Sequence, residues 1–226
     1  MKFLSVAMLV LKKDFAIEMR SYEIFSTTLF FAVACVAIFS FAFVKEGQAE
    51  VDAAAGILWI AIAFAGTLAL GRTFERERYG ETLKALLLAP APRPAIYLGK
   101  LLGIVTLLFV MEILLVPMVA FLFNAAFFSR PELLVALLGL GTIGYAAVGT
   151  LFAAMLVRAR TRDVMLPILL YPITIPVIIA GVRGTSALLT SPVDEAVAML
   201  WIGMLGFFDV VFVTLSLWTF EPLMTE

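Results

Sequence analysis

The sequence predicts an all-α integral membrane protein with six transmembrane helices, and three observations support this fold class. Hydrophobic residues make up 63% of the 226 residues and charged residues 15%, with a mean hydropathy of +1.09. Six apolar runs approach or exceed the length of about 20 residues that a membrane-spanning helix needs. Thirteen of the sixteen Lys and Arg residues fall on one side if these runs cross the bilayer in turn. Lipid accepts only helices or closed barrels, and these runs are too long for barrel strands.

The residue types that the sequence lacks exclude several kinds of site. It contains no histidine and a single cysteine, Cys35, which excludes histidine catalysis, an internal disulfide and a cysteine-based metal site. We therefore predict no catalytic and no metal-binding residues. The net charge of −1 and the lack of a basic face give no indication of nucleic-acid binding.

The first element is predicted to be an amphipathic helix at the membrane interface, over residues 1–23. Apolar residues recur there at spacings of three and four, with charged residues at other positions. These apolar residues are Leu4, Met8, Leu11, Phe15, Met19 and Tyr22. A signal peptide is the alternative, but Lys12, Lys13 and Asp14 stand where a small-residue cleavage site is required.

The apolar runs define six predicted spans within a single transmembrane domain over residues 1–226. They cover residues 24–44, 53–71, 96–123, 133–157, 164–182 and 196–220. Positive residues near span ends mark the cytoplasmic side of a membrane protein. The charge distribution therefore predicts that both termini and the loop at residues 72–95 are cytoplasmic.

The loop at residues 72–95 is predicted to contain a short amphipathic helix at residues 81–88 that docks on a cytoplasmic partner. Its leucines form an apolar stripe of about two turns, and the prolines that follow end the helix. The candidate docking residues are Glu75, Arg76, Glu77, Gly80, Glu81, Leu83, Leu86 and Leu87. The alternative is that the leucine stripe lies in the lipid interface.

Two acidic residues, Glu112 and Asp209, lie near the middles of the third and sixth predicted spans. An ionisable group at such a depth costs at least ~2.5 kcal/mol, which makes both candidates for a functional role. A hydrogen-bonded contact between helices is the alternative. An ion-coupled secondary carrier would use these carboxyl groups, but the sequence shows no inverted repeats of the kind common in such carriers.

Three prolines interrupt the fifth predicted span, at Pro167, Pro172 and Pro176. Each internal proline removes a backbone donor, so we expect this helix, which also contains Thr174, to be bent or broken. Two interpretations of such a bend are open: a mobile helix that lines a pathway, or a static kink.

Glycines and tryptophans in the spans indicate packing positions. Gly99 and Gly103 form a G-x-x-x-G pair, and such small residues allow helices to approach closely. The same explanation applies to the glycines of the fourth span, which are Gly139, Gly141 and Gly144. Trp59, Trp201 and Trp218 are predicted to be interfacial anchors or packing residues.

This order of elements resembles the permease subunits of ABC transporters of the ABC-2 class and, more narrowly, the haem exporter B family. The resemblance covers nearly the whole chain and is strongest in five segments. They read GILW at 56–59, LGRTFERE at 70–77, GETLKALLL at 80–88, PAP at 90–92 leading to LGK at 98–100, and LPILLYPITIP at 166–176.

The resemblance implies a permease subunit of an ATP-driven complex that serves c-type cytochrome maturation in a bacterial or archaeal inner membrane. The implied partners are a cytoplasmic ATPase, haem-handling membrane subunits, a second permease subunit and membrane lipid. In such a complex the helix at residues 81–88 would be the coupling helix that docks on the ATPase. The resemblance further implies that ATP is bound on the ATPase and that any haem takes its ligands from a partner. A permease that exports a drug, a lipid or a polysaccharide is the alternative.

Overall fold

A computed structural model describes residues 3–45, 48–49, 51–79, 92–159 and 161–223. Its helices are α1 (Phe3–Ser21), α2 (Glu23–Ala42), α3 (Val51–Tyr79), α4 (Arg93–Phe123), α5 (Pro131–Met155), α6 (Arg162–Leu189) and α7 (Glu195–Leu223). Two short antiparallel strands, β1 (Val44–Lys45) and β2 (Gln48–Ala49), lie between α2 and α3. Single 3-10 turns at Phe127–Ser129 and Leu156–Arg158 flank α5.

Helices α2 to α7 are each long and apolar enough to cross a membrane, which confirms the six predicted spans. Prolines in the first turns of α4 and α5, at Pro94 and Pro131, supply the backbone angle that a helix start requires. Helix α4 ends at Phe123 and is followed by Asn124, whose φ of 48° is the left-handed conformation common just after helix ends.

Helix α6 excludes one of its two predicted shapes and is longer than predicted. It is continuous through Pro167, Pro172 and Pro176, so the broken form does not occur, and the bend stays a prediction. A proline removes one backbone donor, whereas a break in lipid would expose several, so the continuous helix is the less costly solution. The helix also extends to Leu189, seven residues past the predicted span end, which shortens the following loop. Thr174 is buried and donates to the carbonyl of Leu170 in its own helix, at 2.9 Å.

Helices α3 and α5 form the centre of the bundle. In each, 67% of the apolar window is buried, compared with 17% in α7. Helix α5 contacts all of α3, α4, α6 and α7, and α3 contacts α2, α4, α5 and α6. The remaining spans therefore surround this central pair.

Trp59 of α3 packs between two glycines of neighbouring helices. Its indole lies against Gly141 of α5 and Gly181 of α6, where an added Cβ atom would overlap the ring. The indole Nε1 donates a hydrogen bond to the Thr185 hydroxyl of α6, at 2.9 Å. Trp59 is only 2% exposed, so it is a packing residue and not an interfacial anchor. Trp218, in contrast, is 80% exposed.

Helix α1 packs on α4 through residues other than the predicted stripe. Its buried residues are Val6, Ala7 and Val10, and a Cβ atom on Gly99 would lie 2.7 Å from the Ala7 carbonyl oxygen. Small side chains on both helices allow this approach. Gly103 does not take part in it, since a Cβ atom there would meet only Leu11, at 3.9 Å. Most of the predicted stripe is exposed, namely Leu4, Met8, Phe15, Met19 and Tyr22.

We expect Gly181→Leu to destabilise the bundle because the new side chain must displace the Trp59 indole. Overpacking of this kind costs about 1–3 kcal/mol. Gly203→Leu is the matched control, because a Cβ atom at Gly203 meets nothing within 4 Å. Thermal stability of the detergent-solubilised protein should fall for the first variant only, and equal stability of the two variants would contradict the packing assigned to Trp59.

Candidate functional site

Three of the predicted docking residues lie at the end of the bundle where α3 ends and α4 begins, here called the loop end. Helix α3 continues to Tyr79, five residues past Phe74, where the apolar span stops. At 1.5 Å per residue this extension is about 7 Å long, and its helical backbone carries Glu75, Arg76 and Glu77. The remaining docking residues lie outside the described residues: Gly80, Glu81, Leu83, Leu86 and Leu87. The coupling helix therefore stays a prediction.

Two buried cations hold the helices at the loop end. The Arg162 guanidinium, at the start of α6, donates to the carbonyl of Gly71 in α3 at 3.1 Å. The Lys100 ammonium of α4 donates to the Asp14 carboxylate of α1 at 2.7 Å and lies 5.8 Å from the centre of the Phe74 ring. Both side chains are 3% exposed. The two helices that flank residues 80–91 are thus each bound to a neighbouring helix.

Glu18 joins α1 to α2 at the same end. Its carboxylate accepts a hydrogen bond from the backbone N–H of Phe25, at 2.8 Å, which satisfies one of the unpaired donors in the first turn of α2. Between the helices, Tyr22 takes a left-handed conformation with a φ of 49°. Sequence reasoning did not find these contacts, because partners such as Lys100 and Asp14 are 86 residues apart.

A second polar cluster lies inside the spans and joins α3, α5 and α6. The Thr67 hydroxyl lies 2.7 Å from the Tyr145 hydroxyl and 3.1 Å from that of Tyr171. Tyr145 also donates to the carbonyl of Ala63, at 2.7 Å. The available sequence signal was two tyrosines within apolar runs, since a phenol hydroxyl in lipid needs a partner inside the protein.

Glu112 and Asp209 are both buried, and both contact α5. The Thr142 hydroxyl donates to the Glu112 carboxyl group. A Cβ atom on Gly144 would lie 2.5 Å from an Asp209 carboxyl oxygen. Because Thr142 and Gly144 are two residues apart, they point about 200° apart around the helix. The structure therefore places the two acidic residues on different sides of α5 and does not bring them together as a pair.

The described residues offer hydrogen-bonding groups but few ligands for a cofactor. No group of three or more Cys, Asp or Glu side chains within them lies close enough to hold a metal ion. Neither carboxyl oxygen of Asp209 has a hydrogen-bond partner among them. The polar groups of this arrangement therefore serve contacts between helices. The acidic side chain of Asp209 on α7 is the exception, because it makes no such hydrogen bond among the described residues.

The family model described as CcmB protein matches residues 5–222. The chain belongs to the CcmB family. Three proteins named "Heme exporter protein B" are similar to it along 78–89% of their length, which confirms the resemblance noted from the sequence. That of Pseudomonas aeruginosa is 27% identical over 82% of this chain and 82% of its own.

Two further relatives of the same name have similar identity to this chain and similar coverage. The protein of Rhodobacter capsulatus is 29% identical over 76% of this chain and 78% of its own length. The protein of Haemophilus influenzae is 28% identical over 87% of this chain and 89% of its own. The matched regions thus include most of the spans of this CcmB-family chain.

We expect Thr142→Val to destabilise the bundle, because the buried Glu112 carboxyl group loses its one hydrogen-bond donor among the described residues. Such bonds in membranes are worth about 0.6 kcal/mol on average and up to about 1.7. Thr106→Val is the matched control, since among the described residues the exposed Thr106 hydroxyl donates to the Leu102 carbonyl of its own helix. Measured in mixed micelles, the free energy of unfolding should fall for Thr142→Val and not for Thr106→Val. An unchanged value for Thr142→Val would show that the bundle does not depend on the bond between Thr142 and Glu112.

Proposed function

We propose that this chain is the permease subunit of an ATP-driven ABC complex that acts in haem export or delivery for c-type cytochrome maturation. Membership of the CcmB family supports this proposal, as do relatives named "Heme exporter protein B" along 76–87% of the chain. The chain itself is not a catalytic enzyme. In this proposal ATP is bound and hydrolysed on a cytoplasmic partner, haem takes its ligands from haem-handling membrane subunits, and a second permease subunit completes the membrane part.

The observation that supports ATPase docking most directly is the arrangement at the loop end. Residues 80–91 connect a helix that extends past its span to a helix fixed by the buried Lys100 and Asp14 pair. Because both ends of this short segment continue into helices of the bundle, movement of an ATPase bound to it would be transmitted to the spans. We place the coupling helix at residues 81–88, with its leucines in a groove of the ATPase.

The leucines should supply most of the docking affinity. Burying a leucine is worth about 1.5–3 kcal/mol, whereas an exposed ion pair is worth about 0–1. Leu83, Leu86 and Leu87 would therefore hold the ATPase, and charged residues such as Glu77 and Glu81 would orient it.

We expect Leu86→Asp to release the ATPase and abolish coupled ATP hydrolysis while the chain still inserts into the membrane. Leu86→Met is the conservative control and should behave as wild type, and Glu77→Ala should reduce assembly much less. The measurement is co-purification of the ATPase from membranes together with its activity. An intact, fully active complex containing Leu86→Asp would show that the leucine stripe is not the docking surface.

We also propose a bacterial or archaeal inner membrane as the location, with both termini in the cytoplasm. The distribution of positive charge supports this orientation, because thirteen of the sixteen Lys and Arg residues then lie inside. Helix α1 is not among the helices apolar enough to span, and it exposes Leu4, Phe15 and Met19. These features support its placement along the cytoplasmic interface.

Cysteine labelling of sealed vesicles tests this orientation in a Cys35→Ser background. We expect Glu50→Cys to react with an impermeant reagent added outside, and Thr161→Cys to react only from the cytoplasmic side. The two sites lie in connections on opposite sides of the proposed membrane, so each serves as the control for the other. The reverse pattern of labelling would mean that the chain is inserted the other way round.

A further inference from the structure

A cavity of about 280 Å³ lies between α1, α2 and α4 at the loop end. Its charged lining residues are Lys13, Asp14, Glu18 and Lys100, and Asp14 contacts both lysines. Its volume is close to the lower limit of about 300 Å³ for small-molecule sites. The cavity belongs neither to the predicted docking segment nor to the hydrogen-bonded clusters inside the spans.

The remaining lining is mostly apolar and runs along α4 from Lys100 to Val110, with Ile104 and Leu107 between them. Ten residues of helix measure about 15 Å. The hydrocarbon core of a bilayer is about 30 Å thick, so this length is that of one leaflet. A charged end and an apolar extension of leaflet depth match the shape of a phospholipid.

The charges at the polar end are balanced. The Asp14 carboxylate lies 3.0 Å from the Lys13 ammonium and 2.7 Å from that of Lys100. Glu18 contributes a second carboxylate, which accepts the N–H of Phe25 at 2.8 Å. Two cations and two carboxylates suit a headgroup that carries both signs. A ligand with negative groups only would meet repulsion from Asp14 and Glu18.

We propose that this cavity binds a zwitterionic phospholipid. One acyl chain lies along α4 beside Ile104 and Val110, the phosphate faces Lys13, and the headgroup ammonium faces Glu18. The lipid fills the space beside Gly103, where a Cβ atom would meet only Leu11 at 3.9 Å. It thereby completes the packing of α1 on the spans at a place where the two helices do not touch closely.

Gly103→Leu tests the apolar part of the site, because the added side chain enters the cavity without a clash with backbone. The complex is reconstituted in vesicles of equal parts phosphatidylethanolamine and phosphatidylglycerol, extracted, and weighed by native mass spectrometry. We expect wild type to retain phosphatidylethanolamine and Gly103→Leu to lose it. Gly206→Leu is the matched control on α7, where a Cβ atom meets nothing within 4 Å, and should retain the lipid. Equal retention by all three proteins would overturn the proposal.

Glu18→Gln tests the headgroup with little change of shape, because the amide oxygen still accepts the Phe25 N–H. We expect the retained lipid to shift from phosphatidylethanolamine toward phosphatidylglycerol. Retention of phosphatidylglycerol alone by wild type would overturn the proposal. So would a haem Soret band in the purified chain that is lost in Gly103→Leu and kept in Gly206→Leu, since the occupant would then be haem.

Discussion

The bundle depends on how closely α3 approaches α5 and α6. Lipid tails are as apolar as leucine, so the hydrophobic effect does not draw spans together, and packing and hydrogen bonds must do so. Gly141 and Gly181 leave room for the Trp59 indole, and Thr185 accepts the indole N–H at 2.9 Å. One large side chain thereby joins three helices, and the other spans surround that centre.

Polar groups inside the spans then set the register of the helices. Water is absent there, so each hydroxyl needs a partner within the protein, and Thr67, Tyr145 and Tyr171 meet that need across three helices. Thr142 does the same for Glu112 between α5 and α4. Asp209 differs, because neither carboxyl oxygen has a partner among the described residues. Its helix, α7, is also the least buried of the six spans, which makes Asp209 the stronger functional candidate of the two acids.

The loop end links the proposed docking segment to the membrane part. In the proposed function a force on residues 80–91 would reach α3 and α4 directly, and Arg162 connects α3 to α6. The pair of Lys100 and Asp14 connects α4 to α1. Loss of Asp14 would leave the buried Lys100 ammonium without this carboxylate, and an uncompensated buried charge of this kind costs about 3–5 kcal/mol. The proposed lipid site lies beside the same pair, so α1, the proposed lipid and the proposed docking segment would share one support.

The sequence alone determined the six spans, the family and the likeness to a permease, because apolar length, charge and motif are local properties. It also identified Gly141 as a packing position. Only the tertiary structure decided that no described helix packs closely on Gly103 and that α1 packs through Val6 and Val10. It also decided that α6 is continuous past Pro172. The physical reason is that lipid-facing and core-facing side chains are both apolar, so periodicity does not reveal how a span is rotated. That rotation, set by contacts between residues far apart in the chain, selects which side chains meet.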